Sequence, residues 1–466
     1  MPVDRAAVRD AAKYLRNVRP IEPTEIREYV DGRPDARVVR QVLRESAPSL
    51  GLVEHQDGTF RPVKSVPIDP AFDGVSAVPT EYVSVLEDLL VARYGPDWAT
   101  GDSGEHLRET IRRFKSEYYR QHPVEYDEDV ALGYAIYHLP AYYATAQYVF
   151  WDLARDERLD RSLRVLDIGA GVGGPALGLH DLIETDESGP ALVEYHAVEP
   201  SESVAVLQSL LSETNRNFHW EIHQETAEAF EPTGPYDVVL FSNVLSELDD
   251  PVSVAESYRE SLSDEGTMVG IAPADRNTSL GLRSVERALE DHRMTIYAPM
   301  VRLWPADRPT VDIWSFDERP DVETPSVQKR LAAEADRPAE FRHTSVKFSY
   351  SFLRTDGARR YAVDATEMPV TKLAAAEHHV TDRLDVLVAK LSADLSDDGH
   401  PLFTVSDGSE RDRHFAVLVN ETELNQLLRE AEYGTLLFVE RALVLWNDDE
   451  DAYNLVVDEE TVVDPA

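Results

Sequence analysis

Cysteine does not occur in the 466-residue sequence. This absence excludes disulfides, thiolate metal ligands, iron–sulfur clusters and a thiolate nucleophile. Histidine is present, but only His378 and His379 are adjacent in sequence, and neighbouring residues of a helix point to different faces. The sequence therefore predicts no metal site.

Lysine is scarce as well. The chain has seven lysines among 46 basic residues, against 87 acidic residues, and its formal net charge is −41. An acidic, lysine-poor surface is typical of halophilic proteins, because molar salt screens surface charges beyond ~3 Å. We therefore expect a halophilic protein whose overall charge neither favours nor excludes a nucleic-acid partner.

Long apolar runs are also missing, and no stretch approaches the ~20 residues that a membrane helix needs. The first residues, MPVDRAAVRDAAKYL, are charged from the fourth position and lack the apolar core of a signal peptide. Hydrophobic residues make up 42% of the chain, enough for a sizeable core. We expect a cytoplasmic protein without a membrane segment, and make no prediction of its oligomeric state.

Four regions differ in their residue patterns. Residues 1–65 combine three helical segments with a hairpin, the arrangement of a winged-helix domain. Residues 78–160 are predicted to form aromatic-rich helices that roof the next region. Residues 161–355 alternate strands and helices, typical of an α/β, parallel doubly wound sheet of the Rossmann type. Residues 360–466 carry short strands around one helix, ETELNQLLREAE, and favour a small β-barrel.

The strongest motif is RVLDIGAGVGG at residues 164–174, where an apolar strand runs into a glycine-rich turn and a helix. Gly169, Gly171 and Gly173 belong to this turn and let the backbone approach a ligand closely. Asp167, at the end of the strand, would repel the pyrophosphate of a dinucleotide. It can instead accept a charge-assisted hydrogen bond from the ammonium group of S-adenosylmethionine. We predict S-adenosylmethionine as the cofactor, with a dinucleotide or a decayed site as alternatives.

Polar residues follow the next two predicted strands. Glu199 ends the second strand, where a carboxylate suits the two ribose hydroxyls of the cofactor. Glu225 and Thr226 follow the third strand, where this fold places the adenine. The alternative for each is a solvated acid or hydroxyl at a strand end, since acids are frequent throughout the chain.

The fourth predicted strand ends near Asn243, and its carboxyl end faces the methyl group in this fold. Asn243 is therefore a candidate for cofactor and acceptor contacts, and Asn243, Ser246 and Glu247 are candidates for positioning the acceptor. Asn243 and Glu247 are the candidate catalytic residues. Alternatively, Ser246 and Glu247 cap the following helix. Methyl transfer requires mainly alignment of the acceptor, so these residues do not identify the methylated atom.

Two arginine groups are candidates for nucleic-acid contact. Arg37, Arg40 and Arg44 share one face of the third predicted helix, which is either a solvated face or a helix that reads nucleic acid. The segment 302–319 combines Arg302, Arg308 and Arg319 with Trp304 and Trp314. Its side chains either pack the segment or offer a surface on which bases stack.

The chain resembles the methyltransferase-like proteins of the mitochondrial small ribosomal subunit and their archaeal relatives. The matching pieces are LPAYYA at 139–144, the motif from Asp167 to Gly174, VEPS at 198–201, VLSEL at 244–248, YAP at 297–299 and FSYSFLR at 348–354. The resemblance implies association with the small ribosomal subunit, in assembly or translation. Family members carry cysteines after the YAP segment that bind an iron–sulfur cluster. This chain has none there, so that cluster is not carried over.

Together these patterns predict an S-adenosylmethionine-dependent methyltransferase-like protein that acts on RNA or the small ribosomal subunit. A non-catalytic assembly factor that retains the cofactor site is one alternative. A small-molecule methyltransferase whose flanking domains serve oligomerisation is the other.

Overall fold

The computed structural model describes residues 3–120 and 124–466. Residues 1–2 and 121–123, which belong to the predicted winged-helix and helical regions, lie outside the described residues. The chain divides into two compact units. The first comprises the residues up to Val238 together with Pro320–Val346, and the second comprises Val239–Arg319 and Lys347–Ala466.

The first unit begins with the predicted helices and hairpin: α1 (Arg5–Leu15), α2 (Pro23–Ile26), α3 (Ala36–Leu50), β1 (Leu52–Glu54) and β2 (Phe60–Pro62). Asp4 caps α1 by accepting hydrogen bonds from two backbone amides, and Asp35 caps α3 in the same way with one. Gly51 ends α3 in the left-handed conformation that a helix C-terminus favours. The apolar faces of these helices form a small core with Phe60 of β2.

The predicted roof is helical, with α4 (Thr80–Tyr94), α5 (Gly101–Tyr119) and α6 (Glu128–Arg155). The 28-residue α6 is buried along most of its length. It packs closely on α7 (Gly174–Glu184), where a Cβ added at Gly178 would lie 2.5 Å from the carbonyl oxygen of Tyr143. From later in the chain, α11 (Ser326–Ala333) joins this unit, and the side chain of Gln328 donates to the carbonyl of Ile136.

Three parallel strands follow α6 along the chain in the first unit. They are β3 (Ser162–Ile168), β4 (Leu192–Val198) and β5 (Phe218–His223), with α8 (Val204–Leu211) between the last two. β3 pairs with β4 and β4 with β5, both in parallel. The start of β6 (Tyr236–Ser242) lies beside β3, so the strand order here is β5, β4, β3, β6. This is the predicted Rossmann-like arrangement, and it sets the ends of β3, β4 and β5 at one edge.

The second unit contains the rest of β6 followed by β7 (Leu262–Pro273), β10 (Val346–Arg354) and β8 (Thr295–Ala298), in that order. β10 runs antiparallel to both β7 and β8, so the predicted Rossmann-like sheet is mixed, with an antiparallel strand added to its parallel ones. The remaining elements are α9 (Pro251–Ser257), α10 (Arg276–Asp291) and β9 (Asp317–Arg319).

A closed five-stranded barrel ends the second unit, as the sequence predicts. Its strands are β11 (Arg383–Lys390), β12 (Leu402–Ser406), β13 (Arg413–Leu418), β14 (Leu436–Asn447) and β15 (Ala452–Val457), with β16 (Val462–Pro465) added beside β14. Pairing of β11 with β14 closes the ring. The predicted helix ETELNQLLREAE is wrong in extent, because only α12 (Leu427–Glu430) is α-helical.

Among the described helices, none is both long and apolar enough to cross a bilayer.

Candidate functional site

A turn of positive-φ glycines connects β3 to α7. Gly169, Gly171 and Gly173 have φ values of 73°, 54° and 91°, a region that side-chain-bearing residues rarely adopt. The backbone amides of Gly169 and Ala170 donate to the carbonyl of Val198 at 2.8 and 3.1 Å. The turn is thereby fixed to the end of β4, the neighbouring strand.

One glycine of this turn faces open space. A Cβ added at Gly171 would have no described atom within 4 Å, whereas one added at Gly173 would lie 2.6 Å from Leu207 Cδ1. A side chain at Gly173 would therefore have to displace the buried Leu207 side chain as well as adopt a strained backbone conformation. Gly171 leaves room for a ligand to approach the backbone.

Asp167 lies beside this turn and has no exposed surface. Its Oδ2 accepts a hydrogen bond from the hydroxyl of Tyr195 at 2.6 Å, while its Oδ1 has no partner among the residues that the structure describes. Burial raises the pKa of Asp167 to about 7; the Tyr195 hydrogen bond opposes this shift and the nearby charge of Glu199 adds to it. A buried carboxylate oxygen without a donor fits a cationic ligand group, and the ammonium of S-adenosylmethionine is such a group.

Glu199 follows β4 and is 7% exposed. Its Oε2 accepts from the backbone amide of Gly171 at 2.8 Å, and its Oε1 accepts from the amide of Ser201 at 3.0 Å and from the Ser201 hydroxyl. The carboxylate thus joins the end of β4 to the glycine turn. Oε1 already accepts two hydrogen bonds, whereas Oε2 accepts one and has a further acceptor site, so this arrangement is compatible with a ribose contact through Oε2. No sequence pattern indicates the bond to Gly171.

Glu225 and Thr226 lie in the turn after β5, and both side chains are exposed. The amides of Glu199 and Glu225 each donate to the carbonyl of His223 at 3.0 Å. The structure therefore brings the turn after β5 next to the end of β4. Contact of Glu225 and Thr226 with adenine stays a prediction.

Asn243 lies directly after β6, in the second unit, with φ at 59°. Its amide donates to the carbonyl of Ile271 at 2.9 Å, and its side-chain Nδ2 donates to the Ser242 hydroxyl at 3.1 Å. Asparagine tolerates this left-handed conformation better than most residues, and strained backbone is often found at functional sites. The role of Asn243 in cofactor or acceptor contact stays a prediction.

Ser246 and Glu247 lie on the short 3₁₀ turn Leu245–Glu247 and are exposed. Neither caps the helix that follows. α9 begins at Pro251 and is capped by Asp250, whose Oδ1 accepts from the amide of Ser253 at 3.0 Å. The capping alternative is therefore wrong, and the role of both residues in positioning the acceptor stays a prediction.

Two of the three arginines predicted to share a face of α3, Arg40 and Arg44, lie against one buried carboxylate, whereas Arg37 is exposed. Glu54 is 3% exposed and accepts a two-pronged hydrogen bond from Arg44, at 2.5 and 3.1 Å. Arg216, from the loop after α8, lies 3.2 Å from the same carboxylate, and Arg40 lies 3.7 Å away. Three cations thus share one acid, while their side chains stay 34–45% exposed. The sequence could not place Arg216 in this arginine cluster, because it is 172 residues beyond Arg44 (216 − 44).

The segment 302–319 is packed differently. Arg302 is 5% exposed and pairs with Glu290 at 2.9 Å. The indole nitrogen of Trp304 donates to Asp407 at 2.7 Å, and that of Trp314 donates to the carbonyl of Ala274 at 2.9 Å. Arg308 lies 3.9 Å from Glu290, and Arg319 pairs with Asp317 at 2.7 Å. These contacts favour the packing interpretation of the segment over the base-stacking one.

Comparison with known families agrees with this geometry. Residues 166–268 match a family described as a methyltransferase domain. Residues 5–56 and 374–466 match the N-terminal and C-terminal domains of a family described as a domain of unknown function, DUF8157. No curated protein matches the chain.

Three solved structures illustrate the similarity. Precorrin-6y C5,15-methyltransferase from Geobacter metallireducens is 18% identical, with 29% of this chain and 65% of that chain covered and a TM-score of 0.24. The riboflavin-derivative dimethyltransferase RosA from Streptomyces davawensis is 14% identical, with 63% and 89% covered and a TM-score of 0.29. The plantazolicin methyltransferase BpumL, solved with SAH, is 11% identical, with 59% and 96% covered and a TM-score of 0.27. Similarity at this level assigns no substrate.

The central region of the chain is therefore a class I methyltransferase domain, and its cofactor is S-adenosylmethionine. The unpartnered acceptor oxygen of Asp167 and the open space beside Gly171 fit that cofactor.

Proposed function

We propose that this protein is an S-adenosylmethionine-dependent methyltransferase-like protein that acts on RNA or the small ribosomal subunit in the cytoplasm. The observation that supports the cofactor is the unpartnered Oδ1 of buried Asp167 beside the open Gly171 turn. The observation that supports an RNA partner is the arginine cluster, Arg40, Arg44 and Arg216, in which three cations share one buried carboxylate in an otherwise acidic chain.

Each site residue has a distinct role in this proposal. Asp167 accepts from the ammonium of the cofactor, Glu199 accepts from its ribose, and the turn at Glu225 and Thr226 contacts its adenine. The bound cofactor supplies the activated methyl group. Asn243 and Glu247 orient the acceptor, since alignment is the main requirement of the transfer.

A non-catalytic assembly factor is the second candidate. It is favoured by the exposure of Ser246 and Glu247, because exposed side chains hold an acceptor in line less rigidly than side chains fixed in a closed pocket. In this case cofactor binding would stabilise the fold without turnover.

Crosslinking of RNA to the tagged protein in vivo tests the partner. We expect enrichment of small-subunit ribosomal RNA, reduced in the double variant Arg40→Gln/Arg216→Gln. This variant retains Arg44 and therefore keeps the two-pronged hydrogen bond to buried Glu54. In vitro, the slope of log affinity against log salt should become shallower by about one for each phosphate that the substituted arginines no longer bind.

The matched control is Arg337→Gln/Arg342→Gln, which removes the same charge from exposed positions. Equal loss of RNA binding in both double variants would contradict a specific arginine cluster. Transfer of labelled methyl from the cofactor to bound RNA would support the enzyme over the assembly factor. An absence of ribosomal RNA above background, with turnover of a small molecule instead, would overturn the ribosomal proposal.

A further inference from the structure

Two histidines meet on one face of the first unit's sheet. His196 lies on β4 and His223 is the last residue of β5, and the parallel register sets His196 opposite Glu221 and Val198 opposite His223. The imidazole rings are nearly parallel, at 8°, and His196 Nδ1 lies 3.1 Å from His223 Nε2. Two ring nitrogens at this distance either share a proton in a hydrogen bond or coordinate one cation.

A carboxylate completes the group. Glu221 Oε2 lies 3.8 Å from His196 Nδ1, and the ligand atoms of the three side chains all lie within 4.8 Å of one another. Zinc bonds to imidazole nitrogen at ~2.0–2.1 Å and to carboxylate oxygen at ~2.0–2.2 Å, so tetrahedral ligand atoms stand roughly 3.3 Å apart. The two nitrogens already meet this spacing. Glu221 is 66% exposed and can rotate by the small amount that is still required.

The surroundings of His196 both favour and oppose a bound cation. Its side chain is 12% exposed, so little water competes for its ring nitrogen. The Tyr236 ring packs against it, with the ring centres 5.4 Å apart. The guanidinium of Arg164 lies 4.5 Å from the Tyr236 ring centre, and its positive charge reduces the affinity for a metal ion.

We propose that His196, His223 and Glu221 form a binding site for a divalent ion of the zinc class. Two imidazoles and one carboxylate leave a fourth tetrahedral position open to water. The bound ion links β4 to β5. This link lies next to the proposed cofactor site, because the carbonyl of His223 accepts a hydrogen bond from the amide of Glu199. The proposal departs from the prediction of no metal, which considered histidines adjacent in sequence; these two are 27 residues apart and meet only through the sheet.

Titration with Co²⁺ and Zn²⁺ tests the site without using enzymatic activity. We expect the visible absorption bands of tetrahedral Co²⁺ at a stoichiometry of one, displacement by Zn²⁺, and a rise in the melting temperature with either ion. All measurements use a background protein that carries His378→Ala and His379→Ala. These two substitutions remove a pair of neighbouring histidines that could bind metal outside the proposed site. Substitution of either ligand histidine, His196→Gln or His223→Gln, should weaken binding at least about tenfold.

His219→Gln is the matched control, since His219 lies on β5 on the same face of the sheet and outside the ligand set. Because Glu221 is exposed, Glu221→Gln provides a variant that does not disturb the core and should also weaken binding. The proposal would be overturned if Glu221→Gln and His223→Gln, each tested as a single variant, both bound the metal as tightly as the background protein. So would Co²⁺ spectra without tetrahedral bands, or equal weakening by His219→Gln.

Discussion

Two buried aspartates, one in each unit, lie in similar electrostatic environments but differ in their hydrogen bonds. Asp167 ends β3 in the first unit, and Asp407 follows β12 in the barrel of the second. Burial raises the pKa of each, and in each case a neighbouring carboxylate, Glu199 or Glu410, adds to the shift. On electrostatics alone, both would be candidates for a functional site.

Their hydrogen bonds separate them. Asp407 accepts from the amides of Leu373 and Ser409 at 2.8 Å, and from the Ser409 hydroxyl and the Trp304 indole at 2.7 Å. Asp167 accepts from Tyr195, and its second oxygen has no partner among the described residues. Both carboxylate oxygens of Asp407 are held by hydrogen bonds within its own unit, whereas one oxygen of Asp167 is available to a ligand. Hydrogen bonding therefore separates these two aspartates, whereas the raised pKa does not.

Asp407→Ala should give the largest effect in this comparison. It leaves two buried amides and an indole N–H without their acceptor, so the barrel should lose about 3 kcal/mol of unfolding free energy, partly offset by relief of repulsion with Glu410. Denaturant unfolding followed by tryptophan fluorescence measures the loss. Affinity for S-adenosylmethionine should not change. A stable variant that has lost the cofactor would reverse the roles of the two aspartates.

The pH dependence of cofactor affinity should report the ionisation of Asp167. Its raised pKa, about 7, means that the free protein holds a proton on this carboxyl below that pH, whereas the cofactor's ammonium binds the ionised form. Affinity should therefore fall as pH drops below 7, by up to about tenfold per unit. It should also fall above pH ~8, as the cofactor's own α-amino group loses its proton. Calorimetry across pH measures both decreases in affinity. Asp167→Asn should lack the decrease below pH 7. If that variant retained it, the decrease would belong to another titrating group.

Glu199→Gln should have a smaller effect. Glutamine keeps one acceptor oxygen for the amide of Gly171, but its amide group cannot accept from Ser201 or from the ribose as a carboxylate does. We expect about a fivefold loss of affinity, ~1 kcal/mol, for both S-adenosylmethionine and its demethylated product. Both share the ribose, so unchanged affinity for both would place the ribose contact elsewhere.

Much of the architecture follows from local sequence patterns. The strand, glycine turn and helix at 162–184 were predictable because apolar runs, glycines that need positive φ and helical periodicity agree there. The barrel strands were predictable from alternating apolar residues between turns. The direction of β10 was not, because antiparallel insertion depends on pairing with β7 and β8, which are distant in sequence. The C-terminal helix was overestimated, since tertiary context overrides helical propensity.

The site was predictable only in part, for a similar reason. Asp167, the glycines and Glu199 follow strands, and strand ends can be read from the sequence. Partners that arrive from elsewhere cannot: the hydroxyl of Tyr195 on Asp167, the bond from Gly171 to Glu199 and the position of Arg216 depend on strand register and loop paths. For Arg302 and Trp304 the sequence left packing and base stacking open, and the structure engages both side chains within their own unit.

Calorimetry of wild type and Asp167→Asn with two ligands tests the central claim most directly. S-adenosylmethionine carries the ammonium that Asp167 is proposed to bind, and 5′-methylthioadenosine keeps the adenosine but lacks the amino-acid portion. The substitution should raise the Kd of S-adenosylmethionine roughly 10- to 100-fold, as expected for a hydrogen bond to a charged group worth ~1.5–3 kcal/mol, and leave that of 5′-methylthioadenosine unchanged. An equal loss for both ligands, or no loss for either, would contradict the assignment of Asp167 to the ammonium.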